Sequence, residues 1–253
     1  MNQMNQNFYH NKRTEYEEKG YCIIENVVSS DLLEKAHKDI LESKDTSVFT
    51  DQLGKLRRIE SIYDKTSNLK LVYESCLDVL SNIFLKEFYI FKDKYNAKPP
   101  GGEGFFAHYD GIFEWIDADG NKRNGWHEYA DMFVNVLVSI DPMNAENGAL
   151  EVSREHKGSF SELLKNTKGN NTPDLKKSVE DSLDFQQIII NSGDVVLFSN
   201  KCPHRSSKNI SSSDRRTIYY TFNPKDQGDN YLQYFLDKKQ SKDTGSKSLS
   251  GEI

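Results

Sequence analysis

The chain has 253 residues, of which 36% are hydrophobic and 28% charged, with a net charge of −6. That length suits one generous domain or two small ones, and no linker interrupts its middle. The acidic balance argues against a nucleic-acid surface, and the longest apolar runs, such as Phe133-Val-Asn-Val-Leu-Val-Ser-Ile140, fall far short of the roughly 20 residues of a membrane helix. The start, Met1-Asn-Gln-Met-Asn-Gln-Asn, is polar and lacks a signal core. Cys22, Cys76 and Cys202 are widely spaced with no CxxC pair. They read as buried thiols of a cytoplasmic protein, not as a disulfide framework.

In chain order, residues 1–12 read as disordered and Arg13–Lys19 as a short helix ended by Gly20. Tyr21–Val28 reads as a strand. Ser29-Ser30-Asp31 caps a helix over Leu32–Glu42, and residues 43–58 read as irregular. Leu69–Phe84 carries an apolar stripe at helical spacing. From Phe88 strands dominate: Phe88–Lys98, stopped by Pro99-Pro100-Gly101-Gly102, then one around His108, then 132–140 and Ala149–Val152. A helix is expected over Phe160–Leu164, followed by a mobile loop to residue 184. Further strands are expected at Phe185–Ile190, Val195–Phe198 and Thr217–Phe222. The tail 239–253 reads as disordered. The expected fold is mainly β with flanking helices, a double-sheet jelly roll occupying residues 13–238 as one domain.

The chemistry gathers around Phe105-Phe106-Ala107-His108-Tyr109-Asp110-Gly111. In a strand, His108 and Asp110 project to one face. An imidazole and a carboxylate there make two-thirds of a facial triad for a non-haem iron. His204, after the Cys202-Pro203 break at the end of a core strand, is the candidate third ligand. The other four histidines read as solvated. Arg215 and Arg216 open an apolar strand and point to opposite faces, so one of them could hold a carboxylate with its planar fork.

These residues resemble the phytanoyl-CoA dioxygenase family of Fe(II)/2-oxoglutarate oxygenases. The likeness runs from about residue 15 to 238. It includes Glu18-Lys-Gly-Tyr-Cys-Ile-Ile-Glu-Asn-Val-Val, Phe91-Lys-Asp-Lys-Tyr-Asn-Ala-Lys-Pro-Pro-Gly-Gly, Glu146-Asn-Gly-Ala-Leu-Glu-Val and Gly193-Asp-Val-Val-Leu-Phe. The family's Gly-Ser-His turn is replaced here by Ser153-Arg-Glu-His156. The resemblance implies a double-stranded β-helix, with Fe(II) bound by His108, Asp110 and His204. It selects Arg215, eleven residues after His204, to hold 2-oxoglutarate together with Ser206. Asn96, matching an asparagine of ectoine hydroxylases, joins them. It further implies that O2 is consumed, that succinate and CO2 are released, and, because Asp110 is present, that a C–H bond is hydroxylated and not halogenated.

For the substrate, strand alternation puts Lys92, Lys94, Asn96 and Lys98 on one face. The likeness to ectoine hydroxylases adds Lys92, Phe198 and Tyr219, with Trp115 one residue out of register. Tyr109 and Trp126 could supply aromatic walls. The Lys94–Gly102 segment looks most like the aminoethylphosphonate hydroxylase branch, which implies a small polar, zwitterionic, phosphonate- or betaine-like substrate. Two readings compete with this. One is a same-family oxygenase tailoring an apolar natural product or acyl thioester. The other is a non-oxidative cupin-like metal protein. The expected partner is a small molecule, with no nucleic acid and no membrane. The pattern carries no signal for an oligomeric state. Residues 111–130, Gly-rich and charged at their centre, are a candidate lid.

Overall fold

The computed structural model describes residues 3–240, apart from 118 and 170. Its centre is a seven-stranded sheet, antiparallel at every pairing. The strands run in the order Tyr21–Ile24, Val195–Ser199, Val134–Ser139, Arg215–Pro224, Phe88–Lys98, Leu56–Glu60, Ser47–Thr50. A six-stranded sheet faces it, in the order Thr167–Gly169, Thr172–Leu175, Phe105–His108, His204–Ser206, Leu150–Val152, Gln186–Gln187. The arrangement is the double-stranded β-helix expected from the sequence.

The two faces of the larger sheet differ because side chains alternate along each strand. Val134, Val136 and Val138 point outward with Val195, Leu197, Ile218, Tyr220 and Phe222. Three helices cover that face: Gln3–Lys19, Ser30–Glu42 and Ser67–Phe84. The third buries Leu69, Val72, Cys76, Val79, Leu80 and Ile83. That i, i+3, i+7 spacing gives one continuous apolar stripe. Its start is fixed by Thr66, whose hydroxyl accepts from the Leu69 amide, and Ser29 caps the preceding helix in the same way. The alternate residues Asn135, Leu137, Val196, Phe198, Thr217, Tyr219 and Thr221 face the smaller sheet. So do Lys92, Lys94, Asn96 and Lys98.

Several expectations change. Residues 3–12, expected to be disordered, are helical and continuous with 13–19. Tyr16 is buried and Tyr9 packs against the core, and Lys12–Glu15 and Arg13–Glu17 pairs line the exposed side. Residues 47–60 form a hairpin at the sheet edge. Its polar strand hid from a hydrophobic pattern because Arg58 and Glu60 are themselves buried. The expected mobile loop after Leu164 instead holds two short strands and a helical turn, Lys177–Glu180, and Asp174 pairs with His108 across the sheet. A final helix, Tyr231–Gln240, had no signal because it buries only Tyr234; it includes residues 239–240 of the expected tail, and the rest lies outside the described residues. Residues 111–130 fold as a small hairpin, Trp115–Ile116 with Lys122–Arg123, and a 3-10 turn at Gly125–Glu128. Among the described residues no helix is long and apolar enough to cross a membrane.

Candidate metal and co-substrate site

His108, Asp110 and His204 converge at the mouth of the smaller sheet, with one ligand atom from each lying within 4.8 Å of the others. His108 and His204 are cross-strand partners, which sets their rings 4.2 Å apart. Asp110 comes into place differently from the alternation argument. The strand ends at His108, and Asp110 sits in the bend beyond it. Its amide donates to the Asn200 carbonyl (3.0 Å) and Asn200 Nδ2 donates back to the Asp110 carbonyl (3.1 Å). Gly111 completes the bend at φ +76°, where a Cβ would lie 2.4 Å from the Trp126 ring. Glycine therefore lets the indole close over the turn.

The protonation states suit a divalent metal. His108 Nδ1 donates to the Phe106 carbonyl at 2.7 Å and His204 Nδ1 to the Cys202 carbonyl at 3.0 Å. Each Nε2 lone pair is thereby left free for a metal. Burial, and then His108, push the His204 pKa down to about 4, so its ring is neutral near pH 7. Burial opposes ionisation of Asp110, but His204, Lys94, His108 and Lys92 outweigh it and hold the pKa below the usual carboxylate range. Asn135 Nδ2 donates to Asp110 Oδ2 at 2.9 Å, and Thr221 Oγ1 donates to Asn135 Oδ1 at 2.8 Å. Sequence reading missed Asn135, Asn200 and Thr221. A polar Asn inside the apolar run 133–140 was the available signal.

The triad opens into a cleft that also receives Lys92, Lys94, Asn96, Ser206, Arg215 and Tyr219. Arg215 is buried to 3% exposure; its Nε finds no hydrogen-bond partner, its Nη1 reaches the Met143 sulfur at 3.9 Å, and its polar neighbour is the Tyr219 hydroxyl, with no carboxylate among the described residues paired to it. Arg216 points the other way and clasps Asp141 through Nε and Nη2 at 2.7 and 2.6 Å. A buried guanidinium with no carboxylate is costly unless an anion meets it. Lys98, placed on this face by strand alternation but given no role there, is buried beside it with its ammonium on Ser206 Oγ (2.7 Å) and the Ser207 carbonyl (2.6 Å). Burial, then Arg215 and Arg57, lower the Lys98 pKa to about 6. The pocket floor is thus short of negative charge, which fits the distal carboxylate of a dicarboxylic acid.

Lys92 and Lys94 occupy the opposite end. The Lys92 ammonium lies 5.6 Å from the Trp126 ring centre and 5.7 Å from that of Tyr234. Lys94 lies 4.9 Å from that of Tyr219. Burial and its neighbour Lys92 lower the Lys94 pKa to about 8. Behind Lys92, Glu60 receives Lys238 at 2.8 and 2.6 Å and Arg58 at 3.3 Å. Burial alone would raise the Glu60 pKa, but Lys92, Lys238 and Arg58 together pull it down to about 2.

Three expected substrate residues lie elsewhere. Tyr109 is fully buried in a separate cluster with Ala107, Ile112, Leu163 and Leu175, and its hydroxyl bonds His156 and Asn166. It lies between His108 and Asp110 in sequence but points away from them. Phe198 packs under the His204 ring, 5.0 Å between centres, as a support and not a wall. Trp115 belongs to an aromatic cluster behind the cleft with Phe91, Phe133 and Tyr234. Trp126 and Phe113 take its place in the lining. Nor are His37 and His156 solvated. His37 bonds the Tyr95 hydroxyl (3.1 Å) and meets Arg216, and His156 bonds Tyr109.

Comparison with known proteins accords with this geometry. The chain is 29% identical over 199 residues to a 2-aminoethylphosphonate dioxygenase from the uncultured bacterium HF130_AEPn_1, covering 78% of this chain and 70% of that protein. It is 31% identical over 154 residues to a methylphosphonate hydroxylase from Gimesia maris, covering 60% of this chain and 52% of that protein. The chain therefore spans only about half the length of the second relative. Among solved structures, EctD from S. alaskensis with 2-oxoglutarate and 5-hydroxyectoine shares the fold, with a TM-score of 0.66 at 18% identity, covering 86% of this chain and 76% of that one. The family described as phytanoyl-CoA dioxygenase (PhyH) matches residues 16–217, and the chain belongs to that family of iron- and 2-oxoglutarate-dependent oxygenases.

Proposed function

We propose that the chain hydroxylates a C–H bond of a small polar metabolite that carries an anionic head, consuming 2-oxoglutarate and O2. The observation that carries this is the buried Arg215 guanidinium, paired with no carboxylate among the described residues, which lines the same cleft as a His108–Asp110–His204 triad. A metal protein without a dicarboxylate co-substrate has no use for such a cation.

Bound there, iron(II) with 2-oxoglutarate and O2 supplies the oxidising power for hydroxylation, with release of succinate and CO2. In this reading His108, Asp110 and His204 would hold the metal. Arg215 receives the distal carboxylate through its planar fork. Ser206 adds a hydroxyl, held in orientation by Lys98, and Asn96 lies beside them in the lining. Lys92 and Lys94 fix the anionic head of the substrate, so that its carbon chain lies toward the metal. Trp126 and Phe113 exclude water from that end. Four lysines and arginines in the lining make a poor wall for a long acyl chain, which counts against the acyl-thioester reading. The net charge of −6 and three free buried cysteines support a cytoplasmic enzyme whose partner is a small molecule and not a nucleic acid.

The test is succinate release from 2-oxoglutarate with anaerobically loaded Fe(II) and added O2, against a panel of phosphonates, betaines and amino acids. One compound is expected to stimulate release well above the uncoupled background. Absence of iron binding, together with no turnover on any compound, would refute the proposal.

A further inference from the structure

The charges lining the cleft restrict what the substrate can carry. Among the described residues, every lysine, arginine or carboxylate side chain of the lining is a cation except Asp110. Asp110 is committed: it faces the two histidines and accepts from Asn135. Arg205, at the rim, is paired with Glu151 and Glu180 at 2.8 and 3.0 Å. Arg215 is matched to the co-substrate. That leaves Lys92 and Lys94, and among the described residues no carboxylate makes an ion pair with either. The nearest compensation, Glu60 behind Lys92, is already shared with Lys238 and Arg58.

A ligand ammonium needs either a carboxylate or the open face of an aromatic ring. The cleft offers no uncommitted carboxylate. Of its four aromatic rings, Trp126, Tyr219 and Phe105 already meet Lys92, Lys94 and Lys98, which leaves Phe113 alone. The protein's own ammonium groups stand where a quaternary or primary amine of a substrate would have to sit. An amine-bearing tail would meet like charge in a partly desolvated site.

Resting on the oxygenase reading above, we infer that the substrate is a small dianion, with a phosphonate-type head and an uncharged remainder, and not a zwitterion. Two ammonium groups without an ion pair call for two negative charges, and a doubly ionised phosphonate carries both on the oxygens of one phosphorus. The uncharged remainder extends from there toward the triad, past Phe113.

The test compares n-propylphosphonate with its isostere 2-aminoethylphosphonate, in which an ammonium replaces the terminal methyl. Both are titrated calorimetrically into the anaerobic protein loaded with Fe(II) and 2-oxoglutarate, and propanesulfonate is included as a monoanion of similar shape. Propylphosphonate should bind at least about 10-fold more tightly than either, by analogy with the cost of placing like charges together. Lys94→Glu, which supplies the missing carboxylate, should reverse the order of the two phosphonates, and Lys94→Met should weaken both. Equal or tighter binding of 2-aminoethylphosphonate by the unaltered protein overturns the inference, as does equal binding of propanesulfonate or no binding of any of the three. Iron binding and substrate-free decarboxylation of 2-oxoglutarate are read in the same samples. If they persist while the amine is preferred, only the inference falls; if they too are absent, the oxygenase reading falls with it.

Discussion

The two faces of the seven-stranded sheet are built by the same strands and do opposite things. Along Arg215–Pro224, Ile218, Tyr220 and Phe222 enter the helix-covered core, while Arg215, Thr217, Tyr219 and Thr221 face the cleft. Along Val134–Ser139, valines alternate with Asn135 and Leu137 in the same way. The outer face is apolar and buries its helices, and burial of that kind provides the main favourable term in folding. The inner face carries buried cations, an asparagine and hydroxyls, which cost free energy in an empty cleft. The larger core thus lies on the outer side, with a smaller apolar cluster of Leu137, Val196, Phe198, Leu150 and Val152 between the sheets, and that support lets the cleft end of the inner face hold charges that only a ligand can neutralise.

The comparison breaks most completely at the triad. His108→Ala should abolish Fe(II) binding and succinate release, while the apo protein keeps its melting temperature, because His108 is only half-buried and outside the helix-packed core. Isothermal titration of Fe(II) and a thermal melt read the two effects separately. Next in size is Arg215→Met. It should weaken 2-oxoglutarate binding on the order of 100- to 1,000-fold, as expected for loss of a charged fork. Without co-substrate the variant should melt at the same temperature as the parent or higher, since an uncompensated buried charge is gone. A large drop in melting temperature would mean that Arg215 supports the fold.

What was legible in the sequence divides along the same line. The outer face repeats apolar residues at helix and strand periods, so Leu69–Phe84, Phe88–Lys98 and the core strands were found to within a few residues. The family likeness carried His108, Asp110, His204, Arg215, Ser206 and Asn96, and the structure brings all six into one cleft. Substrate positions transferred less well. Trp115 and Tyr109 lie one layer behind or beside the lining, because a short loop or a bend redirects a side chain without changing its spacing, while Phe198, inside the strand Val195–Ser199, is covered by the His204 ring. The bulge opposite Thr221–Phe222 breaks strict alternation at Phe91 and Lys92, and the bend at Asp110 does so after His108. The Ser47–Glu60 hairpin and the helix Tyr231–Gln240 escaped notice because ion pairs and a single tyrosine, not an apolar stripe, hold them.

Two substitutions sharpen the comparison through stability. Glu60→Gln removes the carboxylate that pairs with Arg58 and Lys238 and that also feels the Lys92 charge. Breaking such a buried group costs roughly 3–5 kcal/mol, which a denaturant melt at pH 7 should show. The sign with pH follows from a folded pKa of about 2 against an ordinary 4.5. The carboxylate's contribution is complete above about pH 4.5 and is lost as pH falls through about 2. The gap between Glu60→Gln and the parent should therefore close toward acid. Leu80→Ala, in the covering helix, should cost about 2–5 kcal/mol with no such pH dependence. Its affinity for 2-oxoglutarate should match the parent's, because Leu80 is wholly within the outer core.

The smallest effects expected are at Asn135 and its partner Thr221. Asn135 is the one polar side chain between Val134 and Val138, and it spans from the Thr221 hydroxyl to Asp110 Oδ2. Asn135→Ala leaves that carboxylate oxygen without its protein donor and the Thr221 hydroxyl without its acceptor. Outer partners of this kind typically contribute 10- to 100-fold in metal affinity, so Fe(II) binding should weaken by about that factor. Competition with a chromogenic chelator under anaerobic conditions measures it. At saturating iron, 2-oxoglutarate should bind as in the parent, since Arg215 and Ser206 are untouched. Thr221→Val should give a smaller loss in the same direction, because Asn135 still reaches the carboxylate but is held on one side only. If iron affinity is unchanged in Asn135→Ala, the sheet does not orient the ligand, and the bend fixed by Asn200 and Gly111 positions Asp110 alone.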